Sequence, residues 1–178
     1  KVGPAVKTIG ASAFANTNLA GLDLSMATSL VSIEAGAFSA TDVEGTLVIP
    51  NTVTTIGNDA FSYTKLAGLD LSKATSLVEI GAWAFGDTGL EGTIMIPTKV
   101  TKVGNSAFAN TRLAGIDLSK ATALVEIGAR AFGDTDLAGL QTTSPMFALA
   151  VTELAAGAAA FSPPVPTLQH YSGVGAFA

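Results

Sequence analysis

The stretch 66–88, LAGLDLSKATSLVEIGAWAFGDT, decides the fold of this chain, because it occurs three times at a constant interval. It returns 47 residues later, at 113–135, as LAGIDLSKATALVEIGARAFGDT, with 20 of 23 positions identical. A third copy lies 47 residues earlier, at 19–41, with 17 of 23 positions identical. Related units lie between these copies, such as EGTLVIPNTVTTIGNDAFSYT at 44–64. A fixed period of this kind predicts stacked structural repeats.

An Ala-Phe pair marks a finer period, about half of the first. Five residues before each phenylalanine stands isoleucine or valine, three after it threonine, and seven after it glycine. The spacings between the phenylalanines alternate between 24 and 23 residues, and the six residues are Phe14, Phe38, Phe61, Phe85, Phe108 and Phe132. The chain therefore contains six related units of two alternating kinds.

The apolar pattern of each unit predicts one strand followed by one irregular arc. Segments such as Leu69-Asp70-Leu71 place apolar residues two apart, so that both point to one face of a strand. A second apolar pair three apart, such as Leu77 and Ile80, fits a tight helical turn or an irregular arc better than a strand. One unit cannot bury its own apolar face, but stacked units can. We expect about six coils with a narrow parallel sheet on one side and the phenylalanines on the far side.

The pattern V-x-x-I-G-x-x-A-F-x-x-T-x-L followed by an L-x-L strand resembles the BspA-type (treponemal-type) leucine-rich repeat. The resemblance covers about residues 2–140. It implies an α/β repeat solenoid, a right-handed superhelix, with a role in adhesion or protein recognition at the cell surface or in secreted proteins. Many members carry cysteine after the Ala-Phe pair, where this chain has threonine in every copy.

Two regions are predicted on this basis. Residues 1–140 form the solenoid, which starts in the middle of a repeat, so we expect a longer parent protein. Residues 141–178 form an Ala- and Pro-rich extension, in which 148–161 favours a short helix that caps the stack. The extension is also apolar enough to dock on a partner. We expect deletion of 145–178 to weaken that association.

Composition excludes several classes of function. The net charge of −5 argues against nucleic-acid binding, which needs clustered Lys and Arg. No apolar run is long enough for a transmembrane helix. The chain has no Cys, and its single histidine, His170, lies in the extension. No phosphate-binding loop or metal-ligand motif is present, so we predict no enzyme activity, no metal and no cofactor.

The outward positions of the predicted strands form the first candidate binding surface. Aspartates on alternate coils are about 9.6 Å apart by strand spacing, too far to share one calcium ion and without the cleft of a glycosidase. This strand face is either a solvated surface or a mildly acidic recognition surface with two apolar residues, and its members are Asp23, Val48, Asp70, Met95 and Asp117.

Two aromatic residues that break the repeat pattern form the second candidate surface. Trp83 and Tyr63 stand in adjacent units where the other copies carry mostly small or polar residues, so both are predicted to be exposed. Exposed Trp and Tyr are frequent anchors in protein interfaces. The alternative is that they are two scattered surface residues without a role.

The threonine column is predicted to be structural. A flat array of threonines orders water in ice-binding solenoids, but here each coil supplies one threonine, beside a turn. We expect the hydroxyls to bond the turn backbone instead.

The sequence thus predicts a non-enzymatic module that binds a protein partner through a repeat-built surface. The alternative is a structural or linker subunit of a larger complex, peripheral to a membrane and docked through the apolar extension.

Overall fold

The structure, a computed structural model, describes residues 1–137 and 139–141. The chain winds into a β-solenoid with six rungs and about five complete turns. Its strands are, in chain order, β1 (Thr8–Ile9), β2 (Ser32–Ile33), β3 (Glu44–Val48), β4 (Thr55–Ile56), β5 (Lys65–Asp70), β6 (Glu79–Ile80), β7 (Glu91–Met95), β8 (Lys102–Val103), β9 (Arg112–Asp117), β10 (Glu126–Ile127) and β11 (Gly139–Gln141).

The continuous sheet lies where the sequence predicted an arc. β1, β2, β4, β6, β8 and β10 form one parallel six-stranded sheet, in which Ile33, Ile56 and Ile80 occupy the same register. The prediction of a tight helical turn or an irregular arc was therefore wrong for the two residues of each unit that form this sheet. The backbone N–H and C=O groups of each coil form hydrogen bonds with the next coil. A short extended segment satisfies these groups better than a local turn would.

The predicted L-x-L strands form two separate sheets instead of one. β3 pairs with β5, and β7, β9 and β11 form a second parallel sheet. The two kinds of unit differ on this side, since β3 and β7 have five residues and β5 and β9 have six. The extra residues, Ala67 and Ala114, produce a register shift in each pair. Strands of unequal length therefore do not keep one register through the whole stack.

A ladder of phenylalanine rings fills the core on the far side, as predicted. Neighbouring rings are 5.1–5.4 Å apart between centroids, with interplanar angles of 1–9°. This is offset stacking, which adds to the energy of burial. Five of the six rings are fully buried, whereas Phe14 in the first coil is 41% exposed.

Backbone hydrogen bonds tie the same turns to each other. From Phe14 to Phe108, the amide of each ladder phenylalanine donates to the carbonyl of the alanine that precedes the next phenylalanine, for example Phe85 N to Ala107 O at 2.8 Å. Other turn amides donate within their own coil, such as Ala84 N to the carbonyl of Gly81. The turn is therefore fixed both internally and to its neighbour.

Glycine permits the coils to approach closely just after the six-stranded sheet. A Cβ on Gly104 would lie 2.4 Å from the backbone nitrogen of Ala82 in the preceding coil. Gly57, Gly81 and Gly128 are equally crowded by backbone. Only the second coil carries a side chain in this column, Glu34, which reaches back to accept the amide of Ala11 at 3.0 Å.

The described residues contain no helix, so the α/β label is right only for the strands. Within the same residues, no helix is long and apolar enough to cross a bilayer. The predicted helix at 148–161 lies outside the described residues, and so does the predicted docking extension 141–178 except for Gln141, the last residue of β11.

Candidate functional site

Two columns of left-handed backbone flank the phenylalanine ladder, and together we call them the turn face. The residues two before and two after each phenylalanine have φ between +52° and +63°. Glycine takes this conformation freely and Asn or Asp takes it more readily than other residues. The first column is Ser12, Gly36, Asp59, Trp83, Ser106 and Arg130, and the second is Asn16, Ala40, Tyr63, Asp87, Asn110 and Asp134.

Tyr63 and Trp83 are unusual occupants of these columns. A bulky aromatic residue in the left-handed region costs on the order of 1 kcal/mol relative to glycine. Tyr63 is 60% exposed, as predicted from its repeat position. Trp83 is only half-buried rather than freely exposed, because its ring lies along the surface of its own coil.

The ring of Trp83 lies over Gly86. A Cβ built on Gly86 would come within 2.3 Å of Trp83 Cε3, so any larger residue at this position would displace the ring. The same relation holds between Arg130 and Gly133, where the added Cβ would lie 3.1 Å from the arginine Cβ. A large residue in the first column is thus accompanied by glycine three residues later.

The structure places the two aromatic residues on adjacent coils, Tyr63 in the second column and Trp83 in the first. The carbonyl of Gly86, under the Trp83 ring, accepts the amide of Tyr63 at 3.0 Å. In the first column Asp59 stands beside Trp83, and in the second column Asp87 stands beside Tyr63. We call these four residues the aromatic–acidic array.

A shallow polar groove runs beside the second column, where the turn meets the L-x-L strand. Lys65 forms an ion pair with Asp42 at 2.7 Å, and hydrogen bonding to this carboxylate raises the pKa of Lys65. Asp87 accepts a hydrogen bond from the side-chain amide of Asn110 at 3.0 Å. The groove is open along its length and has the character of a surface rather than of an enclosed pocket.

The aspartates of the strand face have a structural task. Oδ1 of Asp23, Asp70 and Asp117 accepts, at 2.8 Å, the backbone amide of the serine two residues further on. This is an Asx turn. It ends β5 at Asp70 and β9 at Asp117, whereas Asp23 belongs to none of the described strands. Hydrogen bonds from the serine hydroxyl and then the serine amide lower the pKa of each aspartate.

These three aspartates should make stability dependent on acid. The pKa of each aspartate is lower in the folded chain than in the unfolded chain. Its ionised form therefore stabilises the fold at pH values above the pKa in the unfolded chain, about 3.9. This stabilisation is lost as the pH falls through the lower pKa in the folded chain. We expect the urea midpoint to decrease from about pH 5 downward. In a triple Asp→Asn variant (D23N, D70N, D117N) the amide oxygen still accepts the serine amide, so its midpoint should fall less. If the urea midpoint fell equally steeply with decreasing pH in both proteins, this assignment would be contradicted.

The apolar residues of the strand face do not form one continuous surface. Val48 pairs with Asp70, and Met95 pairs with Asp117, in two different sheets. Val48 is 39% exposed and Met95 is half-buried. The structure thus places four of the five predicted strand-face residues in two separate pairs, and Asp23 belongs to neither of these sheets.

The threonine column bonds the turn backbone, as predicted. Each hydroxyl donates to the carbonyl of the phenylalanine three residues earlier, at 2.7–2.9 Å, in Thr17, Thr41, Thr64, Thr88, Thr111 and Thr135. Four of the six are buried. A hydroxyl used in this way is not presented to ordered water, which excludes the ice-binding arrangement for this column.

Replacing Thr88 with valine should lower the free energy of unfolding by about 1–2 kcal/mol, because the buried Phe85 carbonyl loses the hydroxyl that bonds it. The control is Thr17→Val, since Thr17 is exposed and water can replace its hydroxyl. Urea unfolding of both variants measures the difference. Equal losses would show that burial of the carbonyl does not matter.

Metal-ligating side chains do not cluster in the described residues. Nowhere among them do three or more His, Cys, Asp or Glu side chains come close enough to hold a metal ion. His170 lies outside this part of the chain.

Sequence reasoning missed the left-handed columns. The available signal was the recurrence of Asn, Asp, Ser and Gly on both sides of each Ala-Phe pair, which by itself indicates only exposure. The pairing of Trp83 with Gly86 also carried a signal, since the corresponding position holds Gly only after Trp83 and Arg130.

Stacked coils, a repeated apolar ladder and an open polar surface define a leucine-rich-repeat solenoid. The family model for the BspA-type leucine-rich repeat region matches residues 7–138 in six copies, and the chain belongs to this family. Repeats of this family generally mediate protein–protein interaction or adhesion, and such domains are typically non-enzymatic. Comparisons with curated proteins and with solved structures each gave no significant match.

Proposed function

We propose that this chain is a protein-recognition module whose partner contacts the turn face at the third and fourth coils. The observation that carries the proposal is the pair of aromatic residues, Tyr63 and Trp83, in backbone positions that disfavour them. Local strain of this kind occurs mainly at functional sites. Tyr and Trp are also the residues most often found as energetic centres of interfaces.

The strand face is a secondary contact in this proposal. Its aspartates are occupied with their own turns, so Val48 and Met95 are the members left to contact a partner. A partner that wraps from the turn face across the groove would reach them.

Site-specific photo-crosslinking tests the proposal. A benzoylphenylalanine is placed in turn at Tyr63 on the turn face, at Met95 on the strand face, and at Val78 beside the six-stranded sheet. Val78 is the control, since it is 41% exposed and lies on neither proposed surface. We expect one dominant adduct from position 63 and a weaker one from position 95. The unlabelled protein should compete with the formation of these adducts, whereas its Tyr63→Asn variant should not.

Two results would overturn the proposal. Adducts from Val78 alone would place the contact on another face. If the crosslinker gave stoichiometric adducts with one complex from all three positions, the chain would be a linker subunit enclosed by its neighbours, which is the alternative function.

A further inference from the structure

We propose that the aromatic–acidic array binds a cationic side chain, arginine or lysine, presented by the protein partner. This inference rests on the proposed function and specifies the chemistry of its contact. Asp59, Tyr63, Trp83 and Asp87 place two aromatic residues on one diagonal of the array and two carboxylates on the other.

The geometry of the array follows from the coil register. The amide of Asp59 donates to Ala82 O, next to Trp83, at 2.8 Å, and the amide of Tyr63 donates to Gly86 O, next to Asp87, at 3.0 Å. The four side chains therefore project from two adjacent rungs of the same ladder. Their spacing is set by backbone hydrogen bonds and not by flexible loops.

The two carboxylates of the array are not neutralised from within. Lys65 is engaged with Asp42, and Arg130 is engaged with Asp134. In the part of the chain that the structure describes, neither Asp59 nor Asp87 forms an ion pair. Asp87 accepts the neutral side-chain amide of Asn110, so this hydrogen bond brings no cation to the array.

Aromatic faces and carboxylates together select a cation. A guanidinium or ammonium group is attracted to the face of Trp or Tyr, and a guanidinium also forms paired hydrogen bonds with a carboxylate. A purely apolar group would have to desolvate the carboxylates without compensation. An acidic group would be repelled by them.

The single tryptophan of the chain allows a direct measurement, because Trp83 is the only source of indole fluorescence. The probes are blocked pentapeptides of glycine with a central arginine, lysine, glutamine or glutamate. We expect the arginine peptide to change the fluorescence with a millimolar dissociation constant, the lysine peptide to bind more weakly, and the other two to have no effect. Binding should weaken as salt is added.

Asparagine substitutions test the array without disturbing the fold. Asparagine occupies the second column naturally at Asn16 and Asn110, and at Asp59 in the first column it tolerates the left-handed conformation as aspartate does. Tyr63→Asn should weaken the arginine peptide about two- to fivefold through loss of the cation–π contact. The double variant D59N/D87N should weaken binding of the arginine peptide by a similar factor, about five, and should abolish the dependence of that binding on salt. The control is Glu79→Gln, which removes one negative charge from the six-stranded sheet and should leave binding unchanged.

Stability measured on the same variants separates binding from folding. Tyr63→Asn should raise the thermal midpoint, since asparagine tolerates the left-handed conformation better than tyrosine. A variant that is more stable and yet binds the peptide less well would support a recognition role. Equal binding of the glutamine peptide, or an equal effect of Glu79→Gln, would overturn the inference.

The two proposals fail separately. If the Tyr63 crosslinker still captures one partner while no cationic peptide binds, recognition through the turn face stands and its cationic chemistry does not.

Discussion

Replacing Phe85 with alanine is expected to lower the free energy of unfolding by about 3–5 kcal/mol. Phe85 is fully buried and stacks on rings in both neighbouring coils, Phe61 and Phe108, at 5.4 Å each. The cavity would lie in the middle of the ladder, where collapse is opposed by the backbone bonds between coils. Urea unfolding followed by circular dichroism measures the loss.

The matched control is Phe14→Ala. Phe14 is 41% exposed and stacks only on Phe38, so its loss should cost about 1–2 kcal/mol. In a linear array, a defect at Phe85 should also separate the unfolding of the two halves into distinct transitions. Equal costs for the two variants would show that the ladder is not a continuous core.

Replacing Gly104 with alanine is expected to cost about 2–3 kcal/mol, although only one methyl group is added. The new Cβ would lie 2.4 Å from Ala82 N and 2.6 Å from Gly81 C. Both atoms belong to the backbone and cannot turn aside, so the fourth and fifth coils would have to separate locally. The hydrogen bond from Gly104 N to Ile80 O, 2.8 Å long, would be strained by the same displacement.

Gly10 provides the comparison, since it stands in the same column but has nothing within 4 Å of the added Cβ. Gly10→Ala should stabilise the protein by about 0.4–1 kcal/mol, because alanine restricts the unfolded chain. Opposite signs for the two substitutions, measured by thermal and urea unfolding, are the expected result. Destabilisation of similar size at both positions would show that intrinsic backbone preference, not coil spacing, governs this column.

The stacking of coils could be predicted because it depends on side chains that recur in phase. Phe85 and Ile80 return at fixed intervals, and only stacking buries such residues. The position of the continuous sheet could not be predicted in the same way. Two-residue strands such as Glu79–Ile80 are too short for an alternating pattern, and bonds to neighbouring coils determine their conformation.

The candidate surfaces were predictable as residues but not as geometry. Tyr63 and Trp83 stood out by departing from the repeat, yet a linear pattern could not show that the amide of Tyr63 bonds the carbonyl of Gly86, the glycine under the Trp83 ring. The role of Asp70 was also hidden, because a carboxylate that bonds the next turn reads in sequence like one that faces solvent.

The left-handed columns have a consequence for how proteins of this build diversify. Their side chains do not belong to the apolar core, so we expect a substitution there to change stability by a small, local amount and to leave neighbouring coils intact. Duplication of a 47-residue pair of units would copy a complete piece of scaffold, and later point mutations would alter only its outer chemistry. Trp83 and Arg130, which occupy equivalent positions in two nearly identical copies, represent two outcomes of such divergence within one chain.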